Sequence, residues 1–283
     1  MPNLVSFFKM HGCGNDYIYF DMFDEDVRSK VHNPTELSVK LSNRNKGIGG
    51  DGIVLIEPSD VAHAKMRMFN ADGSEAGMCG NAIRCIGKFL HERGAAENID
   101  IETISGIKKL YVNTNGDEVV SVKVDMGPAY THPRDIPVSL PGDIIVGREV
   151  NISGRAYEIT CVSMGNPHAV TFIDDVESFD LHTIGPLFEH ADIFPDRVNF
   201  EIAQMLGRNR IRMRVWERGT GETQACGTGA CAVAVAAVNL GFCDKQKDIM
   251  VELNGGCLTI NYTPEAVYMT GDCVMVFEGR VLV

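Results

Sequence analysis

Met78-Cys79-Gly80-Asn81-Ala82 and Ala225-Cys226-Gly227-Thr228-Gly229 are two versions of one phrase, each followed by an apolar run of helical character. The likeness extends outward from the cysteines. Met66-Arg67-Met68-Phe69-Asn70 aligns with Met213-Arg214-Val215-Trp216-Glu217 at an offset of 147 residues, and Glu75 aligns with Glu222 at the same offset. Gly14-Asn15 matches Gly165-Asn166, Ile101-Glu102 matches Val251-Glu252, and Val122, Val124 and Gly127 match Val274, Val276 and Gly279. The blocks keep their order, and the period is far too long for a solenoid. The expected architecture is therefore α+β: two pseudo-symmetric domains from an internal duplication. Each is a curved mixed β-sheet or barrel wrapped around a central apolar helix. Residues 1–127 form the first domain and 128–276 the second, with about 277–283 packing back onto the first.

Short strands are expected around each helix. Ile53-Val54-Leu55-Ile56 is a buried apolar run, while residues 121–125 and 210–215 alternate polar and apolar side chains. Pro128, Pro133, Pro137 and Pro141 mark the crossover between the halves. Residues 223–243 lack charge, but the unbroken apolar run inside them covers only 230–238. A membrane span needs about 20 apolar residues, so this segment reads as a buried central helix.

Composition narrows the function. The chain has 283 residues, 45% hydrophobic and 23% charged, with a net charge of −12. That charge argues against nucleic acid or an anionic membrane as partner. An anionic substrate must then be held by a local cation or by backbone amides. The N-terminal stretch, interrupted by Lys9, His11 and Asp16, lacks a signal-peptide pattern, so a cytoplasmic protein is expected. Nine cysteines, an odd number, read as reduced thiols in that setting. The spacings Cys79–Cys85 and Cys226–Cys231 do not suit a metal, and none is expected.

A cysteine beside helix-start glycines is, taken singly, an ordinary buried residue. Two at equivalent positions of a repeated unit invite a chemical reading. At a helix start the unpaired amides and the dipole favour the thiolate, so a lowered thiol pKa is expected for both. A carboxylate placed at such helix starts would meet backbone donors. Gly47-Ile48-Gly49-Gly50-Asp51-Gly52 formally satisfies the dinucleotide fingerprint, but a polar segment precedes it and a strand follows, so it reads as a tight turn.

The blocks Gly12-Cys13-Gly14-Asn15-Asp16, Phe69-Asn70-Ala71-Asp72-Gly73-Ser74, Met78 through Cys85, Gly165-Asn166-Pro167-His168, and Trp216 through Ala230 together resemble the diaminopimelate epimerases. The resemblance implies a cofactor-independent isomerase of lysine biosynthesis that interconverts LL- and meso-2,6-diaminopimelate, acting as a homodimer. Carried over by residue, it implies Cys79 and Cys226 as the two catalytic acid/bases. Gly80, Asn81, Gly227 and Thr228 would hold the reacting carboxylate. Asn15, Asn70, Asn166, Asn199, Glu217 and Arg218 would bind the substrate and recognise its distal end. His168 and Glu217 would tune the thiols. Gly52 stands where some relatives carry Gln and receives no role.

Three other readings compete, one of them the phenazine-type isomerases, which share the fold without the two thiols. Proline racemases and hydroxyproline epimerases also pair cysteines, but typically carry His where this chain has Asn81, and their small substrate leaves a Glu217–Arg218 pair without work. A non-catalytic redox or binding module would use Cys79 and Cys226 as a switchable disulfide.

Overall fold

Parallel neighbours in a sheet cannot be joined by a hairpin; they need a crossover, usually a helix. That rule organises this chain, whose computed structural model describes residues 4–283. Two compact units emerge: one runs up to Val124 and adds Gly271–Val283, and the other is Asp125–Thr270.

In the first unit, strands Leu4–Gly12 and Asn15–Asp21 form a hairpin, and Val274–Leu282 pairs antiparallel on the other side of Leu4–Gly12. Asn15–Asp21 lies parallel to Gly52–Glu57, and the crossover holds α1 (Glu25–Arg28) and α2 (Pro34–Ser42). Gly52–Glu57 pairs antiparallel with Ala64–Asn70, which lies parallel to Asn98–Thr103. That second crossover holds α3 (Gly80–His91). Gly106–Asn115 and Glu118–Asp125 complete the ladder as antiparallel strands.

The second unit repeats the scheme. Arg155–Ser163 and Pro167–Phe172 pair antiparallel, and Pro167–Phe172 is parallel to Asn199–Gly207 across α4 (Leu181–Glu189). Arg210–Glu217 is parallel to Asp248–Leu253 across α5 (Gly227–Asn239). Gly256–Tyr262 and Val267–Gly271 follow antiparallel. Strand directions and crossover positions correspond between the units, and α2 and α3 correspond to α4 and α5, while α1 is particular to the first unit. Tyr17 sits opposite Gly52 as His168 sits opposite Asn199, so the registers correspond as well.

Each sheet curls around its crossover helix. α3 packs on Leu4–Gly12 and Asn15–Asp21 and also on Gly106–Asn115, far along the same ladder. α5 touches strands along its own ladder from Arg155–Ser163 to Gly256–Tyr262. The helices differ in what they bury. α5 is enclosed over Ala230 to Ala237, all small or branched apolar residues and one cysteine. α3 buries Arg84 at 0% exposure, with Asn81 beside it. A buried guanidinium must spend its donors on fixed acceptors. Arg84 donates to the carbonyls of Gly80 and Asp272 and to Asn81 Oδ1. It ties the start of α3 to the returning C-terminal segment. Among the described residues, no helix is long and apolar enough to cross a membrane.

Candidate active site

Cys79 and Cys226 occupy the same position in their units: each is the N-cap of its crossover helix, with extended backbone (φ −129°, ψ 121° and φ −117°, ψ 110°). Their surroundings differ.

Cys79 is half-buried, and its side chain makes no cap hydrogen bond to its own helix. Its thiol donates to Asn15 Oδ1 at 3.3 Å, and Asn81 Nδ2 donates to the same oxygen at 3.3 Å. The other end of the Asn15 amide donates to Asp51 Oδ2 at 2.6 Å. That carboxylate is fixed by the Asp16 amide (3.0 Å) and by Arg44 Nη2 (2.9 Å). Arg44 in turn reaches Asp16, which pairs with the buried Lys9. Asp16 is costly to bury, yet Arg44 and Lys9 outweigh that cost and hold its carboxyl below the usual range. Tyr17 lies against this cluster, and burial, with Cys79 and Asp51 nearby, pushes its phenol well above its ordinary value.

Asp51 comes from the Gly47–Gly52 segment, an irregular bend that follows the turn at 44–46 and runs into the strand Gly52–Glu57. Its glycines answer to packing. A Cβ on Gly47 would lie 2.5 Å from the Leu41 carbonyl oxygen, and one on Gly52 would lie 2.1 Å from that of Phe69. Sequence reasoning set this loop aside as a turn and so missed the residue it presents to Asn15.

Cys226 is only 6% exposed. Its sulfur accepts from the Gly229 amide at 3.4 Å and lies 3.5 Å from Thr228 Oγ1. Asn166 Nδ2 donates to Thr228 Oγ1 at 3.3 Å, and Asn166 Oδ1 faces His168 Nε2 at 3.1 Å. His168 Nδ1 lies 2.7 Å from Glu201 Oε1, and both residues are fully buried. Burial pushes the Glu201 carboxyl up, against the pull of His168. Glu201 was not anticipated, because Phe200-Glu201-Ile202 are all buried and no alternation marks the acid as special.

The lowered thiol pKa expected at the helix start does not hold for Cys226. Burial, reinforced by Glu217 and Glu201, pushes its thiol well above the ordinary value, although Thr228 and Gly229 pull the other way. Desolvation of a sealed thiolate costs more than one helix terminus returns.

The remaining expected residues fall as follows. Asn199 Nδ2 donates to the Pro167 carbonyl, and its Oδ1 accepts from the Arg218 amide, each at 2.9 Å. Glu217 accepts from Thr223 Oγ1 at 2.5 Å, and Arg218 Nη1 donates to the exposed carbonyl of Asp196 at 2.8 Å. Glu189 was also missed: it receives Trp216 Nε1 and the Gly219 amide, each at 2.8 Å, and so fixes the turn bearing Arg218. Asn70 lies opposite Gly52 in the ladder, its side-chain amide donating to Ser74 Oγ at 3.0 Å. Gly80 and Gly227 begin α3 and α5 immediately after the two thiols, with Asn81 and Thr228 next. Among the described residues, no group of three or more His, Cys, Asp or Glu side chains is placed to hold a metal.

The diaminopimelate epimerase family model matches residues 7–132 and 160–276. This chain belongs to the diaminopimelate epimerase family. Diaminopimelate epimerases of Acetivibrio thermocellus and Methanococcus maripaludis strain S2 are 50% and 49% identical to it over 281 residues. These alignments span 98% of this chain and 98% and 99% of theirs. Among solved structures, a hydroxyproline epimerase from Agrobacterium vitis has a TM-score of 0.66 at 15% identity, over 99% of this chain and 91% of that one. A Bacillus anthracis phenazine biosynthesis protein of the PhzF family has a TM-score of 0.68 at 16% identity, over 99% of both. These two share the fold. Membership of the epimerase family makes the chain an isomerase acting on amino acids.

Proposed function

We propose that this protein interconverts LL- and meso-2,6-diaminopimelate, in lysine biosynthesis, by proton transfer between the substrate α-carbon and two thiols, without a bound cofactor. The observation that carries the reading is the equivalence of Cys79 and Cys226. Each caps the crossover helix of its unit, followed by Gly80-Asn81 or Gly227-Thr228. One thiolate takes the α-proton from one face, and the other thiol returns a proton to the opposite face. The roles exchange for the reverse substrate.

The first-turn amides of a helix have no intrahelical acceptor. Amides at Gly80, Asn81, Gly227 and Thr228 are therefore suited to the α-carboxylate. Negative charge on that carboxylate grows as the α-proton leaves, so such donors favour the transition state over the ground state. Asn15, Asn70, Asn166 and Asn199 offer neutral hydrogen-bonding groups, Glu217 takes an ammonium, and Arg218 grips a carboxylate in its planar fork.

Without substrate both sulfurs are set as thiols: Cys79 donates to Asn15 Oδ1, and burial holds Cys226 protonated. The substrate's ammonium brings a positive charge, and a cation nearby lowers a thiol pKa. Substrate binding thus arms one sulfur.

Incubating LL-diaminopimelate with reduced protein in heavy water tests the scheme. Deuterium should enter the newly formed meso product early, ahead of the remaining LL pool. Turnover of proline with no action on diaminopimelate would defeat the substrate assignment.

A further inference from the structure

Glu201 stands among the core strands with 0% exposure, and its Oε2 has no hydrogen-bond partner. A buried carboxyl oxygen left unsatisfied is expensive, and such a group calls for a reason. The reason lies on its other oxygen, 2.7 Å from His168 Nδ1.

The direction of the hydrogen-bond chain beyond that contact is set by the orientation of the Asn166 amide. Asn166 Nδ2 donates to Thr228 Oγ1, which leaves Asn166 Oδ1 facing His168 Nε2. An amide oxygen only accepts, so Nε2 must carry a proton. With Nε2 protonated, the short Nδ1–Oε1 contact needs one more proton, whether it sits on the carboxyl or on the ring. His168 therefore has no lone pair to offer Cys226. Thr228 Oγ1, with its lone pair engaged by Asn166, has its proton left for the Cys226 sulfur, which also accepts from the Gly229 amide.

We propose that Glu201 is the positioning residue of the Cys226 half-site: by sharing a proton with His168 it fixes the imidazole as an Nε2–H donor, and so turns Asn166 and Thr228 to direct hydrogen bonds at the Cys226 sulfur. This assignment rests on the catalytic role proposed for Cys226. Burial opposes ionisation of that thiol, and the converging donors are what let it become a thiolate once a cation arrives. A second observation agrees. A Cβ at Gly229 would come within 2.8 Å of Glu201 Oε1 and 3.3 Å of the Cys226 sulfur, so this helix position is left open around both groups.

The titratable groups facing Glu201 come from four elements. They are His168 on Pro167–Phe172, Cys226 at the start of α5, Glu217 on Arg210–Glu217, and Cys161 on Arg155–Ser163. Cys161 is pushed up to about 12 by burial, with Glu201 adding to it, and stays neutral through the working range.

The test uses the full-length reduced protein with Glu201→Met and Glu201→Gln. Methionine keeps the volume and removes the partner of Nδ1. Glutamine can still donate to Nδ1 through its amide and so preserve the Nε2–H form. Alkylation of Cys226 and Cys79 by iodoacetamide across pH 6–10, read by peptide mass spectrometry, reports each sulfur separately and needs no turnover. Failure of this reading and failure of the catalytic role of Cys226 therefore give different results.

In Glu201→Met the alkylation profile of Cys226 should move to higher pH by about one unit while that of Cys79 stays in place, and kcat should fall on the order of tenfold with KM little changed. Glu201→Gln should recover most of both. An unmoved Cys226 profile in Glu201→Met overturns the proposal, as does a Glu201→Gln enzyme as impaired as Glu201→Met. If Glu201→Met does not fold, Glu201→Gln decides alone: near-parental Cys226 reactivity supports the proposal, and a displaced profile refutes it.

Discussion

The half-sites around Cys79 and Cys226 share backbone geometry and a first asparagine, Asn15 or Asn166, yet they are wired differently. At Cys79 the asparagine is anchored by a carboxylate, so its oxygen faces the sulfur and accepts from the thiol. At Cys226 the asparagine is anchored by an imidazole N–H, so its NH2 points toward Thr228 and donors face the sulfur. The first network ends in Arg44, whose side chain is 59% exposed, and the second ends in a sealed carboxyl. A duplicated scaffold can thus keep two thiols equivalent in position while giving them unequal chemistry.

Removing either sulfur is the harshest way to break the comparison. Cys79→Ala and Cys226→Ala should each lower kcat for epimerisation by about 10²–10⁴-fold or more, because in the proposed scheme each face then loses its proton carrier. Near-normal turnover of Cys226→Ala would end the two-thiol scheme. The same variant carries a pH signature. Cys226 is raised in the folded protein, so its contribution to stability is full below the unfolded thiol value, about 8.5, and fades as pH rises above it. Denaturant titrations should show the parent losing stability relative to Cys226→Ala between pH 8.5 and 10.

The third residue after each thiol sharpens the contrast. It is Ala82 in α3 and Gly229 in α5, because Val54 occupies the strand position that Glu201 holds in the other unit. Gly229→Ala should improve helix propensity by about 1 kcal/mol. It should nevertheless reduce kcat by roughly ten- to a hundredfold, since the new methyl displaces Glu201 and Cys226. Steady-state kinetics beside a thermal melt separate these effects. An enzyme with unchanged kcat would show that the packing around Glu201 does not matter.

Asp51→Asn probes the other network. The Asn15 amide, released from a charged acceptor at 2.6 Å, is free to turn its nitrogen toward Cys79. A loss of about tenfold in kcat/KM is expected, matching roughly 1.4 kcal/mol for one charge-assisted hydrogen bond. The alkylation profile of Cys79 should move while that of Cys226 remains fixed. Movement of both would mean that the half-sites are not separately wired.

Much of this was legible in the sequence because it is written in contiguous blocks. The thiols, the glycines after them and the asparagine signatures are short local strings, and repetition made each copy evidence for the other. The supporting acids were not legible, for physical reasons. Asp51 meets Asn15 across 36 residues of chain, inside a glycine-rich loop that in sequence reads only as a turn. Glu201 sits in a strand buried on both faces, where period-2 patterning carries no information. The raised thiol of Cys226 was hidden for a related reason: helix capping is a local property, whereas desolvation depends on what the rest of the unit packs over the sulfur.

The smallest effect concerns a pair that the repeat carries in both units. Arg67 grips Glu75 in a fork at 2.6 and 3.1 Å, and Arg214 grips Glu222 at 2.8 and 3.0 Å. The geometry is the same but the solvent is not: the first pair is 32% exposed on both sides, the second 12% and 13%. Exposed ion pairs are worth roughly 0–1 kcal/mol, whereas losing one partner of a shielded pair strands the other charge and costs about 1–3 kcal/mol. Glu75→Gln should therefore barely change the unfolding free energy, while Glu222→Gln lowers it measurably. Arg67 and Arg214 hold their partners' carboxyls below the usual range. The stabilisation is then complete above the unfolded glutamate value, about 4.3, and is lost as pH falls through the folded values. The gap between parent and Glu222→Gln should narrow in urea titrations below pH 4, and a gap independent of pH would assign the cost to packing instead of charge.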